Sequence, residues 1–163
     1  MSKKLSGRWK AIVIDTSPLL LLLMGLYDRK AIDGFKRLSE YDCDDYDLLF
    51  QFVARRKLIV TPQVLSEVSN FARGLKNKFS EFIVENRSTL ERIDEKYIPK
   101  TDILTSQEVV NFGFTDISII LAAKENNALV LTDDFLLCGI YRKFELDTIH
   151  MTEVLSQKEI FKA

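Results

Sequence analysis

Residues 111–137 read NFGFTDISIILAAKENNALVLTDDFLL, a pattern that predicts a turn, a helix, a second turn, a strand and an acidic loop. Gly113 interrupts a helical pattern, and Thr115 is a suitable cap for the helix that follows. That helix is apolar over most of its circumference, as expected of a buried helix, through Ile117, Ile119, Ile120, Leu121, Ala122 and Ala123. Asp116 is therefore predicted to lie in the first turn of a buried helix.

A strand and an acidic loop complete this stretch. An Asn-Asn pair ends the helix, and residues 128–131 form a short continuous apolar run, typical of a strand covered on both faces. Thr132, Asp133 and Asp134 follow at the carboxyl end of that strand. Open parallel sheets bind their ligands at strand ends of this kind. The stretch therefore predicts that Asp116 and the acidic loop face a common pocket.

The length and charge of the chain limit what it does. Its 163 residues, 47% of them hydrophobic, predict a single domain over residues 1–163, with a loose polar lead-in at residues 1–10. A formal net charge of -1 excludes the global basic field that is common in nucleic-acid-binding proteins. A nucleic-acid substrate would need a local basic patch.

Neither a membrane span nor a disulfide framework is predicted. The apolar run at residues 18–26, PLLLLLMGL, has about half of the ~20 residues that a span requires, so we expect a buried helix. Cys43 and Cys138 lack a CxxC partner and are most simply free thiols in a reducing compartment. We therefore expect a cytoplasmic protein without a membrane partner.

The rest of the chain alternates strand and helix patterns. Further strands are predicted at residues 11–14, 58–60 and 147–151, and helices at 18–27, 32–38, 48–57, 62–75, 76–97, 107–110 and 136–144. Ser17 before Pro18, and Thr61 before Pro62, have the form of a cap followed by a helix-opening proline. Such alternation predicts an α/β fold, a three-layer α/β/α sandwich with a central parallel sheet. Residues 28–57 and 76–100 are predicted helical additions to it.

Each acidic candidate also has a purely structural interpretation. Asp15 follows the first strand as a turn residue would, Asp116 complements a helix dipole, and an aspartate of the acidic loop could cap the next helix. Glu67 is harder to explain in this way, because it flanks the apolar face of its helix, where a carboxylate without a partner is costly.

Taken together, these acids predict a metal site. Two strand ends and two neighbouring helices direct carboxylates toward the same edge of one sheet. Carboxylates that converge repel one another, and they stay ionised at neutral pH only when a cation neutralises them. Mg²⁺ or Mn²⁺ binds oxygen ligands and leaves positions for a phosphate, so the pattern favours hydrolysis of a phosphodiester.

Four motifs in a fixed order resemble the PIN domain family, which includes the VapC-type toxins of toxin-antitoxin pairs. The motifs, within about residues 11–150, are a strand with Asp15-Thr16-Ser17, then Thr61-Pro62-x-x-Leu65-x-Glu67-Val68, then Thr115-Asp116-x-x-Ile119-x-x-Ala122-Ala123, then Leu131-Thr132-x-Asp134-x-x-Leu137. The resemblance implies a compact α/β/α fold, a Mg²⁺- or Mn²⁺-dependent ribonuclease activity and frequent homodimers.

The resemblance also implies roles for individual residues. Asp15, Glu67 and Asp116 match the three most constant acids of the family, and Asp134 matches the fourth. Asp133 is an alternative to Asp134, because the doublet leaves open which aspartate faces the metal. Ser17 and Thr132 match polar helpers of the site. Arg73 is a candidate RNA contact, although helix-end and surface charge explain it equally well.

The predicted function is a metal-dependent endoribonuclease that cleaves RNA, and the narrower interpretation is a toxin with a cognate antitoxin. Two alternatives compete with it. The first is a catalytically silent module of the same fold that binds RNA or a protein partner. The second is a phosphorylated receiver-like domain, which is disfavoured because it would require an acid doublet after the first strand, where the chain has Asp15 alone.

Overall fold

The structure, a computed structural model, describes residues 8–157. Most of the predicted lead-in and the end of the chain lie outside the described residues. A parallel five-stranded sheet has the strand order β3-β2-β1-β4-β5. Its strands are β1 Ala11–Ile14, β2 Lys57–Val60, β3 Asp94–Glu95, β4 Leu129–Thr132 and β5 Thr148–His150.

The helices connect and flank these strands. They are α1 Thr16–Tyr27, α2 Ala31–Gly34, α3 Cys43–Val53, α4 Pro62–Ala72, α5 Phe79–Arg92, α6 Lys100–Thr105, α7 Val109–Asn126, α8 Phe135–Lys143 and α9 Met151–Leu155. Two 3-10 helices, Lys36–Leu38 and Arg73–Lys78, lie between them. The prediction of an α/β fold with a central parallel sheet and flanking helices is confirmed.

The strand order creates a switch point between β1 and β4. From β1 the chain adds β2 and β3 on one side of the sheet, and it then returns to add β4 and β5 on the other. Right-handed connections in opposite directions place their helices on opposite faces of the sheet, which makes three layers. The loops after β1 and β4 diverge at the switch point, where open α/β sheets bind their ligands.

Helix α1 lies at the centre of the core. The six residues from Leu19 to Met24 are each at most 2% exposed. Asn86, fully buried on α5, donates its Nδ2 to the Leu23 carbonyl at 3.0 Å and so links the two helices. The predicted buried helix at residues 18–26 is confirmed, and no helix within residues 8–157 has the length and apolarity needed to cross a membrane. Cys43 and Cys138 are free thiols.

The first cap was predicted at the wrong residue. Helix α1 begins at Thr16, and its cap is Asp15, whose side chain accepts a hydrogen bond from the Thr16 backbone amide. Ser17 already lies inside the first turn and is buried. The equivalent prediction for α4 is correct, because the Thr61 side chain accepts from the Val64 amide and Pro62 is the first helical residue.

The helix predicted at residues 76–97 is present but shorter, at Phe79–Arg92. Lys76 has a left-handed φ of 53°, which breaks the helix before α5, and α5 ends at Arg92. The next residues form β3, which pairs with β2 as the edge strand of the sheet. Asp94 and Glu95 are both exposed, so no apolar run in the sequence indicated a strand. Backbone pairing and a 2.5 Å salt bridge between Lys57 and Asp94 hold this edge.

Smaller differences concern where elements begin and end. Residues 32–38 form α2 and a 3-10 helix rather than one helix. Residues 42–45, which precede the helix predicted at 48–57, are the start of α3, where Asp42 and Asp45 form a capping box. Helix α6 follows Pro99, where no helix or strand was predicted, and β4 lies one residue later than predicted.

Candidate functional site

Asp15 is fixed at the carboxyl end of β1 by three hydrogen bonds. Its backbone amide donates to the Leu131 carbonyl at 3.0 Å, which places it beside β4. Its Oδ1 accepts from the Thr16 amide at 2.7 Å, and its Oδ2 accepts from the Thr132 hydroxyl at 2.7 Å. Asp15 is 8% exposed, so this carboxyl group is almost entirely removed from water.

Burial controls the ionisation of Asp15. Removal from water raises the pKa of the carboxyl group to about 6, while the hydrogen bonds from Thr132 and Thr16 oppose the shift. The negative charges of Asp133 and Glu67 raise this pKa further. Asp15 is therefore electrostatically coupled to two other acids that come from distant parts of the chain.

Glu67 joins three helices through its two carboxylate oxygens. Oε2 accepts from the Thr16 hydroxyl of α1 at 2.7 Å, and Oε1 accepts from the Thr115 hydroxyl of α7 at 2.6 Å. These hydroxyls hold the half-buried side chain in one orientation. Thr115 was predicted as a helix cap, but α7 begins earlier, at Val109, and the hydroxyl of Thr115 binds Glu67.

Asp116 follows the predicted break in α7. Gly113, with a φ of 82°, interrupts the helix, and Asp116 lies in the first turn beyond that interruption. Its Oδ1 accepts a long hydrogen bond of 3.4 Å from the Tyr141 hydroxyl. Burial, and after it the charges of Asp15 and Glu67, raise the pKa of Asp116 to about 7.

The two aspartates of the acidic loop, Asp133 and Asp134, have different partners. Asp134 is the cap of α8 and accepts from the Leu137 amide at 3.0 Å. Asp133 accepts a 3.0 Å hydrogen bond from the Tyr41 hydroxyl. Asp133 raises the pKa of Asp15, and Asp134 raises that of Asp116, so both charges act on the site. Which of the two would face a metal stays a prediction.

We call Asp15, Glu67, Asp116, Asp133 and Asp134 the acidic cluster. Hydroxyl groups donate to most of its members, and within residues 8–157 none of the five forms a salt bridge. Thr132 is fully buried beneath it and donates to Asp15. Ser17 lines the adjacent groove, whereas Arg73 is exposed and does not line it. The catalytic roles of all these residues stay predictions.

The donor chemistry of the acidic cluster fits a hard divalent cation. All its ligand atoms are carboxylate oxygens. Burial, and after it the charges of neighbouring acids, raises the pKa values of Asp15 and Asp116, and a bound cation would stabilise their ionised forms. Within residues 8–157, no three His, Cys, Asp or Glu side chains are grouped closely enough to hold an ion by themselves. Mg²⁺ sites commonly need only one or two carboxylates, together with waters and substrate phosphates. The cluster therefore fits that kind of site and not an all-protein cage.

A groove of about 820 Å³ opens beside the acidic cluster. Its lining includes Asp133, Asp134 and Ser17 near the site, and Phe35, Lys36, Arg37, Tyr41, Phe71 and Gly74 from other segments. Its volume is within the range of about 300–1,000 Å³ that is typical of ligand sites. Lys36, Arg37 and Tyr41 were not among the residues predicted for the site. These residues lie in a stretch of mixed polar and apolar residues, and the adjacent Lys36 and Arg37 are the one sequence feature there that indicates a basic patch.

Comparisons with known proteins give structural similarity alone. No protein-family model matches the chain, and no curated protein sequence matches it. A domain of a functionally unknown protein from Methanocaldococcus jannaschii DSM 2661 aligns over 86% of this chain and 90% of its own, with 18% identity and a TM-score of 0.46. A PilT N-terminus domain protein from the archaeon Sulfolobus solfataricus P2 aligns over 90% and 92%, with 15% identity and a TM-score of 0.42.

Proposed function

We propose that this protein is a Mg²⁺- or Mn²⁺-dependent endoribonuclease that hydrolyses RNA phosphodiester bonds. The observation that carries the proposal is the pair Asp15 and Asp116 at the switch point of the sheet. Burial raises the pKa of both toward neutrality, the charges of neighbouring acids raise it further, and no salt bridge within residues 8–157 neutralises either. Such a pair favours cation binding, and the motif resemblance to PIN domains supports the choice of RNA as substrate.

The proposed roles follow the motif resemblance. Asp15, Asp116 and Asp134, with Asp133 as the alternative to Asp134, would supply ligands of the ion beside waters and a substrate phosphate, and Glu67 would bind the ion or orient the attacking water. When bound, the divalent ion would activate a water and stabilise the departing oxygen of the phosphodiester.

Neutral side chains would keep these acids in position. The hydroxyls of Thr16 and Thr115 aim both oxygens of Glu67, and the hydroxyl of Thr132 aims one oxygen of Asp15. None of these three hydroxyls neutralises a carboxylate, so the charge needed to attract the ion is kept. Thr16, Thr115 and Thr132 are therefore proposed as positioning residues.

Binding of Mn²⁺ tests the proposal without a guess about the RNA target. Mn²⁺ is titrated calorimetrically into the wild-type protein, into Asp116→Asn and into the matched control Asp147→Asn. Asp147 precedes β5 at the opposite edge of the sheet, so its substitution removes the same charge away from the acidic cluster. We expect Asp116→Asn to weaken binding by about 10-fold or more and the control to leave it unchanged.

Cleavage is the second test of the proposal. A labelled single-stranded RNA is incubated with each protein in Mn²⁺ and in EDTA. Cleavage by the wild-type protein in Mn²⁺ alone, lost in Asp116→Asn, would support the nuclease. Absence of both Mn²⁺ binding and cleavage in the wild-type protein would contradict it and would favour a catalytically silent binding module.

The narrower proposal is that the nuclease is the toxin of a toxin-antitoxin pair, with a cognate antitoxin and a homodimeric state. It rests on the motif resemblance alone. Light scattering after size-exclusion chromatography measures the oligomeric state, and expression with and without a protein encoded beside it measures toxicity and its neutralisation. Harmless expression of a protein with RNA cleavage activity would reject the toxin while it preserves the nuclease.

A further inference from the structure

The groove beside the acidic cluster has one basic side. We call residues 34–41 the basic segment. It contributes the cations Lys36 and Arg37 and one acid, Glu40, to the lining, while Asp133 and Asp134 contribute acids to the same groove. Within residues 8–157, neither Lys36 nor Arg37 forms a salt bridge, although the acids of the groove are nearby. The two cations therefore remain available to an anionic ligand.

Arg37 is held in an orientation that suits a phosphate. Its guanidinium lies over the ring of Phe71, 4.4 Å from the ring centroid. A stacked guanidinium is attracted to the aromatic face and still presents N–H donors at its edge. These donors match two phosphate oxygens at once, which makes Arg37 the stronger candidate of the two cations for a phosphate contact.

An aromatic ring lies in the same groove. Phe35 is half-buried, and a Cβ added at Gly74 would be 3.3 Å from its Cε2 atom. The glycine thus allows close contact between the ring and the 3-10 helix Arg73–Lys78. An aromatic face in a basic groove can stack any nucleobase, so it binds RNA with little preference for sequence. Only an unpaired base has a face free for such stacking.

Tyr41 connects the basic segment to the acidic cluster. Its hydroxyl donates to Asp133 at 3.0 Å, between residues 92 positions apart in the chain. Burial, together with the charge of Asp133, raises the pKa of the Tyr41 phenol, so the group remains a donor. This contact holds the basic segment beside the proposed site of cleavage.

We infer that the basic segment is the substrate-positioning subsite of the proposed nuclease. Arg37, assisted by Lys36, binds a phosphate that neighbours the cleaved one, and Phe35 stacks an unpaired base. The RNA is therefore single-stranded at this point. The inference rests on the proposed function for the identity of the ligand, and it assigns a role to part of the helical addition at residues 28–57.

A binding measurement in EDTA tests the subsite separately from metal-dependent cleavage. Fluorescence anisotropy follows a labelled single-stranded RNA with the wild-type protein, Arg37→Gln, and the matched control Arg87→Gln on α5, outside the groove. We expect Arg37→Gln to weaken binding by about 10-fold, because it removes a charge-assisted contact with phosphate. Arg87→Gln should stay within about 2-fold of the wild-type protein, since an exposed charge away from the groove adds little.

Two further comparisons define the chemistry of the subsite. Phe35→Leu keeps an apolar side chain without a flat face, and we expect binding to weaken by about 5-fold or more. An RNA duplex of the same length should bind at least about 10-fold more weakly than the single strand, because its bases are already stacked. Circular dichroism melting of every variant checks that the fold is kept.

Other results would reject the subsite, the nuclease or both. Equal binding by Arg37→Gln and wild-type protein, equal losses in Arg37→Gln and Arg87→Gln, tight duplex binding, or no RNA binding by the wild-type protein would each reject the subsite. Mn²⁺-dependent cleavage by Arg37→Gln at the wild-type rate would reject the subsite while it leaves the nuclease intact. Single-strand binding through Arg37 without any cleavage would reject the nuclease and keep the subsite.

Discussion

Two groups of acids in the protein differ in their partners. Asp147, just before β5, lies 3.6 Å from Arg8 and accepts a 2.9 Å hydrogen bond from the Trp9 indole. Asp94, beside Ile59 on the edge strand β3, forms its 2.5 Å salt bridge with Lys57. We call Asp147 and Asp94 the ion-paired acids. At the carboxyl ends of the strands, the acidic cluster has hydroxyl and backbone donors, and it has no salt bridge within residues 8–157.

This difference separates structural acids from candidate functional ones. Exposed salt bridges cost little, because water still solvates both charges. A buried carboxylate that is oriented by hydroxyls keeps its full charge and destabilises the fold as it ionises. An arrangement that costs stability indicates a function that requires the charge. The ion-paired acids therefore serve as the internal control for every prediction about the acidic cluster.

The largest expected effect is on catalysis. Asp15→Asn should lower Mn²⁺-dependent RNA cleavage by at least ~100-fold, because a neutral amide replaces a charge placed at the reacting phosphate. Asp94→Asn, the same substitution at an ion-paired acid, should stay within about 2-fold of the wild-type rate. Initial rates at saturating Mn²⁺ measure both. Comparable losses in the two variants would show that the two groups of acids do not differ in function.

The next effect concerns the hydroxyl that orients Asp15. Thr132→Val keeps the volume of a fully buried side chain and removes the donor to Asp15 Oδ2, so we expect unfolding to cost about 1–3 kcal/mol less. The loss should be larger at pH 8, where Asp15 is ionised, than at pH 4, where it is protonated. Urea denaturation at both pH values measures it. Thr148→Val removes a hydroxyl at the start of β5 that donates to the Leu146 carbonyl and not to a carboxylate, so it should show no such pH dependence.

The third effect is a pH-dependent gain in stability. The pKa of Asp116 is about 7 in the folded protein, against an ordinary value of 3.8, so the folded state binds the proton more tightly. Wild-type stability therefore falls as the pH rises toward and through 7. Asp116→Asn removes this penalty, and after allowance for solvent screening it should gain about 1 kcal/mol between pH 5 and pH 8 in EDTA. If the free energy of unfolding changed with pH equally in the wild-type protein and in Asp116→Asn, the raised pKa of Asp116 would be refuted.

The smallest effect is expected at the ion pair of the edge strand β3. Asp94→Asn removes a salt bridge in which both side chains are more than half exposed, so the free energy of unfolding should fall by under about 1 kcal/mol. Raising the salt concentration should reduce even that difference, since exposed charges are screened. Thermal or urea unfolding in low and high salt measures it. A loss as large as that of Thr132→Val would show that β3 depends on its charge pair.

Much of the fold could be predicted from local sequence patterns. The apolar runs of β1, β2 and β4 identified the buried strands, and the proline after Thr61 identified the start of α4. Strand β3 could not be predicted, because its two exposed acidic residues carry no apolar signal and backbone pairing with β2 alone makes it a strand. Local capping rules also could not choose between Asp15 and Ser17, since aspartate and serine are both favoured helix caps. In the structure the cap is Asp15.

Hydrophobic periodicity and capping are local properties, so the alternation of strands and helices, and the elements that carry the acids, can be predicted from the sequence. Which side chains meet depends on how the whole chain is packed. The hydroxyls that hold Glu67 come from residues 51 and 48 positions away, and Tyr41 reaches Asp133 across 92 positions. Burial of Asp15 and Asp116 likewise depends on helices packed from the whole chain. Contacts between distant segments have no local pattern, so the groove and its basic segment emerge only when the sheet is assembled.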